Sequence, residues 1–330
     1  MRRQVPKKET LNVVVSAVTQ LTPRIREYLL EAVGGGPLPA YEAGSHIEVV
    51  INPDGIGETV RHYSLVGGTE TLDDGRSAWR IAVQREDRAR GSAHIHHTLE
   101  VGSQLAITSP KNEFRLDHRD SKSLLIAGGI GITPIVAMLR SLVQRKRSFE
   151  VAYTGRSRSE MAYVDAVERL AGSNAHIHCN DEGGLLDVKA LLAAQPANTS
   201  VYVCGPAALI EAVRAAAAEL GWNAQRVRSE LFTPPPTGNE VAFDVVLKKS
   251  GQTIHVGANT SILDALKNVG QHPLFDCRRG ECGLCPLIVL EADGPLVHRD
   301  RYLSDEEKAS GKTLCVCVSR LQGSRLVLDA

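Results

Sequence analysis

The chain has no charge of either sign to spare: 38 Lys and Arg stand against 38 Asp and Glu in 330 residues. That balance gives no footing for a nucleic-acid or polyanion binder. Long apolar runs are missing too. One long stretch without a charge, Ser123 to Leu139, is short for a membrane span and is broken by Gly128, Gly129, Gly131 and Pro134. The start, MRRQVPKKET before LNVVVSAVTQL, is a weak signal peptide: its apolar part is interrupted by Asn, Ser, Thr and Gln and lacks a small-residue cleavage site. A strand is the better reading, and the protein is expected in the cytoplasm, bound neither to nucleic acid nor to membrane. Internal repeats are absent. An even set of cysteines is also missing; seven in a chain this large do not make a secreted disulfide framework.

Three textures follow one another. Up to about residue 112 the chain reads as short strands, LNVVVSAV, HIEVVI, VRHYSLVG, WRIAVQRE and QLAITSP, separated by turn-rich GGGPLP, NPDGIG and DDGRS. Such a pattern predicts a closed or nearly closed antiparallel barrel. From about Ser121, strands (SLLIAGG, FEVAYTG, NAHIHCND, SVYVCGP, QRVRSELF) alternate with helices (PIVAMLRSLVQRK, AALIEAVRAAAAELG), which predicts an α/β doubly wound parallel sheet. TPPPTGNE then reads as a semi-rigid linker. In the last part AFDVVLKK and QTIHVG flank the hairpin signal Ser250-Gly251, and SILDALKNVG reads as a helix with Ser261 and Asp264 as a capping box and Gly270 as its stop. The expected domains are 1–114, 115–232, a linker at 233–240, and 241–330.

Five of the seven cysteines lie between 277 and 317, and CRRGECGLC spaces Cys277, Cys282 and Cys285 as C-x4-C-x2-C. With a distant fourth thiolate this is the plant-type 2Fe–2S spacing. Gly280 and Gly283 permit the tight backbone that such a loop needs. A zinc ribbon would want paired C-x2-C knuckles, and only one is present. TLCVCVSR offers Cys315 and Cys317 as fourth ligand; read as one strand, they share a face, so alternation does not separate them. The 29 residues between Cys285 and Cys315 favour Cys315 by ferredoxin spacing.

A one-electron centre fed by a nicotinamide donor needs a device that splits an electron pair, and a flavin is the usual one. RHYS, Arg61 to Ser64, sits on an expected strand. GSAHIHH, from Gly91, opens a short helix with a glycine and Ser92, a natural phosphate cradle. AGGIGITP places a glycine turn between a strand and a helix start, with Pro134 in the first turn, suited to a pyrophosphate. CGP, Cys204 to Pro206, ends another strand at the carboxyl edge where open sheets bind ligands. Arg156 and Arg158 follow FEVAYTG, where an adenosine ribose would lie; they are compatible with a 2′-phosphate, although NADH is the preferred donor. His94, His96 and His97 lack Cys or carboxylate partners at ligand spacing and read as a helix surface, and His176 and His178 as one face of a strand. Arg278 and Arg279 on the cysteine loop suit steering of an acidic partner, with a solvated loop face as the default.

Taken in order, Arg61–Ser64, GGIGITP, Cys-Gly-Pro, Glu230-x-Phe232 and the cysteine loop make the whole chain resemble the phthalate dioxygenase reductase and vanillate O-demethylase reductase family. The resemblance implies an antiparallel β-barrel flavin domain holding FMN, a doubly wound domain for NADH, and a C-terminal α+β plant-type ferredoxin domain with a 2Fe–2S cluster. It implies electron transfer to a separate Rieske-type oxygenase acting on an aromatic or similar small substrate. Arg61, His62, Tyr63 and Ser64 would contact FMN, with Val83, Gln84, Gly91 and Ser92 completing its site. Gly129, Thr133 and Cys204 would face the nicotinamide nucleotide, and Phe232 would approach the flavin ring. His62 departs from the smaller or polar residue of the family. The ending CVSRLQGSRLVLDA resembles the family terminus in which the ligand directly precedes V-S-R, which selects Cys317. The rival readings are a ferredoxin-fused reductase for a cytochrome P450 or diiron monooxygenase, and a redox-sensing or interaction protein without turnover.

Overall fold

The computed structural model describes residues 10–52, 59–72, 75–85, 90–232, 241–258, 260–275, 280, 283–300 and 302–330. The chain forms two compact units, Met1–Glu230 and Leu231–Ala330. The TPPPTGNE segment, Cys277, Arg278, Arg279 and Cys282 lie outside the described residues.

The first unit holds two sheets. Strands β1 (Thr10–Thr22), β2 (Ile25–Ala32), β3 (Ser45–Ile51), β4 (Thr59–Ser64), β5 (Glu70–Thr71), β6 (Ser77–Gln84), β7 (Gln104–Thr108) and β8 (Lys111–Asn112) are antiparallel. Their order is β4-β3-β7-β1-β2-β6-β5, with β8 on β3, and a bridge from Leu65 to Ile81 brings the two sides together into a barrel. Alternate residues, among them Val13, Val15, Ile47, Val49, Trp79 and Ile81, fill its core, as a period of two requires. The short strand list read from sequence omits β2. IREYLLEA carries three charges, Arg26, Glu27 and Glu31, at positions that hide its alternation. The structure shows why those charges are tolerated: buried Glu27 and Glu31 pair with Arg80 and Arg76 of β6 and its approach.

Strands β9 (Lys122–Gly128), β10 (Ser148–Gly155), β11 (Ala175–Cys179), β12 (Thr199–Cys204) and β13 (Val227–Glu230) form a parallel sheet ordered β11-β10-β9-β12-β13. The order reverses between β9 and β12. Helix α1 (Arg90–Thr98) belongs to the barrel; α2 (Ile132–Gln144), α3 (Val164–Ala171), α4 (Asn180–Gly183), α5 (Val188–Ala193) and α6 (Ala207–Glu219) belong to the sheet. The β9 run is buried almost throughout, the pattern of a strand covered on both faces. Where barrel and sheet meet, Ile25 and Ala82 pack with Ala162, and the Tyr163 hydroxyl donates to Glu27 over 2.8 Å. Tyr163 holds a left-handed backbone, φ 62°. Burial, then the Glu27 carboxylate, keep its phenol protonated.

The second unit is α+β. Strands β14 (Phe243–Leu247), β15 (Thr253–Val256), β16 (Pro286–Ala292), β18 (Thr313–Cys315) and β20 (Arg325–Leu328) form a mixed sheet, β15-β14-β20-β16-β18; β17 (Leu296–Val297) pairs β19 (Arg320–Leu321). The Ser250-Gly251 turn joins β14 to β15, with Gly251 at φ 71°. Helix α7 (Ile262–Asn268) is capped by the Ser261 Oγ, which accepts from the Asp264 N–H at 3.0 Å and donates to its carboxylate, so only half of the expected capping box forms. Helix α8 (Asp305–Ser310) carries the complete box, Ser304 with Glu307. Arg320, buried, donates to the carbonyls of Thr260, Val241 and Gly257, which explains structurally the arginine of V-S-R. Among the described residues no helix is long and apolar enough to cross a membrane.

Candidate flavin, nucleotide and cluster sites

Strand β4 carries Arg61, His62, Tyr63 and Ser64 in alternation. Tyr63 packs against the barrel core, while Ser64 is buried on the opposite side. His62 stacks on buried His46, ring centroids 5.2 Å apart, so it serves the strand pair rather than pointing with Arg61. The Arg61 guanidinium lies against Gly91 in the first turn of α1; any Cβ at Gly91 would overlap its Nε. Arginine and helix N-terminus thus meet, with half-buried Ser92 beside them, as an anion site requires. Val83 is buried, and its carbonyl accepts from His96 Nε2 at 2.8 Å. Burial lowers the His96 pKa, and the bond to Val83 accounts for one of the three histidines without a metal.

Gln84, at the end of β6, opens onto a cavity of about 650 Å³ whose other walls include the carboxyl ends of β9 and β10, Asn180 just beyond β11, the turn between β1 and β2, and the start of α6. Gly129, Thr154, Arg156, Asn180 and Pro206 line it. This is the switch point of the sheet, where ligands of doubly wound folds bind. Gly129 adopts φ 53° with nothing within 4 Å of its missing side chain, leaving backbone open to the cavity. Thr154 Oγ1 donates to Asn180 Oδ1 at 3.1 Å, tying two strand ends together. Arg156 is exposed and lies 3.8 Å from Glu160, also a wall residue, while Arg158 is committed to Glu168 at 2.7 Å. Of the two arginines, therefore, only Arg156 faces the cavity.

Thr133 and Cys204 are placed differently from their neighbours. The Thr133 hydroxyl donates to the Ile130 carbonyl at 3.1 Å inside the turn, and Cys204 is fully buried; neither is among the cavity walls. Phe232 belongs to the second unit. Sequence reading passed over Arg24, Asn180 and Glu160. Arg24 lies in the turn between β1 and the unanticipated β2, whereas Asn180, just beyond β11, obeys the strand-end rule that singled out Cys204.

In the second unit the Sγ atoms of Cys285 and Cys317 are 3.1 Å apart. Strand β18 stops at Cys315 and the chain turns through 316–318, so the premise that Cys315 and Cys317 share a strand face does not hold. Hydrogen bonds from Cys315 first, then Cys317, hold the Cys285 thiol far below the usual thiol range. All three are buried and unbridged. Clustered thiols, one of them held easily ionised, are the donor set that an iron–sulfur cluster takes, so the described cysteines fit one.

The comparisons agree with this geometry. The family model for the 2Fe–2S iron-sulfur cluster binding domain matches residues 245–322, and that for the N-terminal domain of dimethylamine monooxygenase subunit DmmA-like proteins matches 107–227. A toluene-4-sulfonate monooxygenase system reductase subunit of Comamonas testosteroni is 38% identical over 96% of this chain and 98% of its own. The solved structure of phthalate dioxygenase reductase, described as modular for electron transfer from pyridine nucleotides to [2Fe-2S], matches with TM-score 0.80 and 32% identity over 97% of this chain and 98% of that one. This chain belongs to the phthalate dioxygenase reductase family. Its members here are oxidoreductases, the reductase subunits of oxygenase systems. An intact type IV self-sufficient cytochrome P450 monooxygenase carries a similar module: TM-score 0.67, 35% identity, all of this chain but 43% of that one.

Proposed function

We propose that the chain is the reductase component of a two-component oxygenase system, taking electrons from NADH and delivering them to a Rieske-type oxygenase in the cytoplasm. The observation that carries this reading is the cavity walled by both Gln84 of the barrel and Gly129 of the parallel sheet. FMN, when bound, accepts hydride and releases electrons singly; a 2Fe–2S cluster carries one at a time.

The residues divide that work. Arg61, Gly91 and Ser92 hold the flavin phosphate. Tyr63 supports the ring, and Ser64, Val83 and Gln84 bound its reactive edge; Phe232 is assigned to the ring by the family resemblance alone. Gly129 admits the pyrophosphate of NADH; Thr133 braces that turn from within, and Cys204 backs the nicotinamide from beneath. Cys277, Cys282, Cys285 and Cys317 would ligate the cluster, Cys317 being chosen over Cys315 because it directly precedes the V-S-R run. Plant-type clusters lie near about −400 mV, low enough to reduce a Rieske centre at about −150 mV or above. No side chain need abstract a proton; orientation and exclusion of water are the protein's part.

A visible spectrum before and after NADH, with flavin, iron and sulfide counted, tests the reading. A yellow-brown protein that bleaches supports it; a colourless or zinc-bearing one overturns it. A second reading, delivery to a cytochrome P450, is favoured by the module shared with the self-sufficient P450. Turnover of purified Rieske and P450 acceptors by the same preparation separates the two.

A further inference from the structure

The two glycines of the cysteine loop press against the neighbours Asp300 and Tyr302, Gly280 also against Val318. At Gly280 a Cβ would lie 2.7 Å from the Asp300 Cα and 2.7 Å from Val318 Cγ2; at Gly283 it would overlap the Tyr302 ring. Tyr302 is half exposed, one part of its ring against Gly283 and the rest in solvent. The Asp300 side chain is wholly buried. Its Oδ2 accepts from the Leu303 N–H at 2.9 Å, its Oδ1 accepts from Ser319 Oγ at 3.1 Å, and His298 Nδ1 lies 3.6 Å away. Ser319 also accepts from the Arg299 N–H at 3.4 Å and stands two residues beyond Cys317. No described Lys or Arg is paired with Asp300 in an ion pair, although buried carboxylates normally have such a partner.

We propose that Asp300 is a positioning residue for the cluster: it braces the cysteine loop at Gly280, and its buried charge opposes addition of an electron, setting the reduction potential low. This rests on the assignment of the cysteine loop to a 2Fe–2S centre. Reduction adds one negative charge to the centre, so a carboxylate held nearby out of water disfavours it, and net charge and hydrogen bonding are established levers on such potentials. The Ser319 hydroxyl, by donating to that carboxylate, moderates its effect.

The test uses the full-length protein loaded with iron and sulfide, with both counted first. Absence of iron and sulfide from the wild type would sink the cluster assignment itself. Spectroelectrochemical titration then follows Asp300→Asn, Asp300→Glu and Ser319→Ala, with the EPR spectrum of each reduced form. Asp300→Asn is expected to shift the potential upward, raising the reduced-to-oxidised ratio about threefold or more at the wild-type midpoint. Asp300→Glu returns it toward wild type. Ser319→Ala shifts it the other way, because the carboxylate loses a donor. Should Asp300→Asn fail to load, Ser319→Ala decides alone: a downward shift supports the proposal. An unshifted potential in a loaded Asp300→Asn, or upward shifts in both variants as expected if water simply enters, overturns it.

Discussion

Gly129 and Gly283 both take a left-handed backbone, φ 53° and 69°, and use it for opposite ends. Around Gly129 the space a side chain would fill is empty, so the peptide faces the 650 Å³ cavity. At Gly283 that space is already taken by Tyr302. The nucleotide turn keeps room for a molecule that comes and goes, whereas Gly283 of the cysteine loop is closed off by the Tyr302 ring. An identical residue type thus marks a binding surface in one unit and a sealed one in the other.

Removing a ligand from the sealed site should have the largest effect. Cys285→Ser is expected to abolish iron and sulfide loading while reduction of the flavin by NADH persists, measured by metal analysis and stopped-flow absorbance. Next comes the glycine pair itself. An alanine at φ above zero costs about 1–2 kcal/mol at either place, but Gly283→Ala must also displace the Tyr302 ring. Its second unit should melt several degrees lower than that of Gly129→Ala, and Tyr302→Ala in the same chain should recover part of the loss. Gly129→Ala should instead raise KM for NADH. Equal melting losses in the two single variants would erase the contrast.

A smaller effect is expected at Glu160. Glu160→Gln frees the exposed Arg156 and removes a carboxylate from the cavity wall, so the NADPH-to-NADH ratio of kcat/KM should rise by up to about fivefold, the scale of a surface ion pair. The smallest lies at the far edge of the parallel sheet. Hydrogen bonds from Arg119 hold the Asp117 carboxyl well below its usual range. A depressed folded-state pKa stabilises above the unfolded value of about 3.9 and is lost as the pH falls below it. Asp117→Asn should therefore flatten the fall in melting temperature between about pH 5 and pH 3.

Much of this was legible in the residues. The alternation of strand and helix after Ser121 exposes a parallel sheet because buried strands read as continuous apolar runs, and SLLIAGG is one. The thiol cluster was legible in the C-x4-C-x2-C spacing, while the choice of Cys317 rested on the resemblance of the V-S-R ending and not on spacing, which favoured Cys315. What stayed hidden depended on partners distant in sequence. Strand β2 hides behind charges that only β6 neutralises, and Arg24 hides with it. Asp300 reads as one acid among many until Ser319 and Gly280 fold onto it. The turn after Cys315 was read as strand because its apolar residues alternate, but a chain that must bring thiols together cannot run straight.

The Tyr163–Glu27 bond has one further consequence. It bolts the barrel to the parallel sheet beside the cavity, together with the packing of Ile25, Ala82 and Ala162. The gap that a nicotinamide ring must enter is thus set before any dinucleotide arrives. Arrival then spends no free energy on drawing two bodies together, and selection among dinucleotides falls to the walls rather than to a hinge.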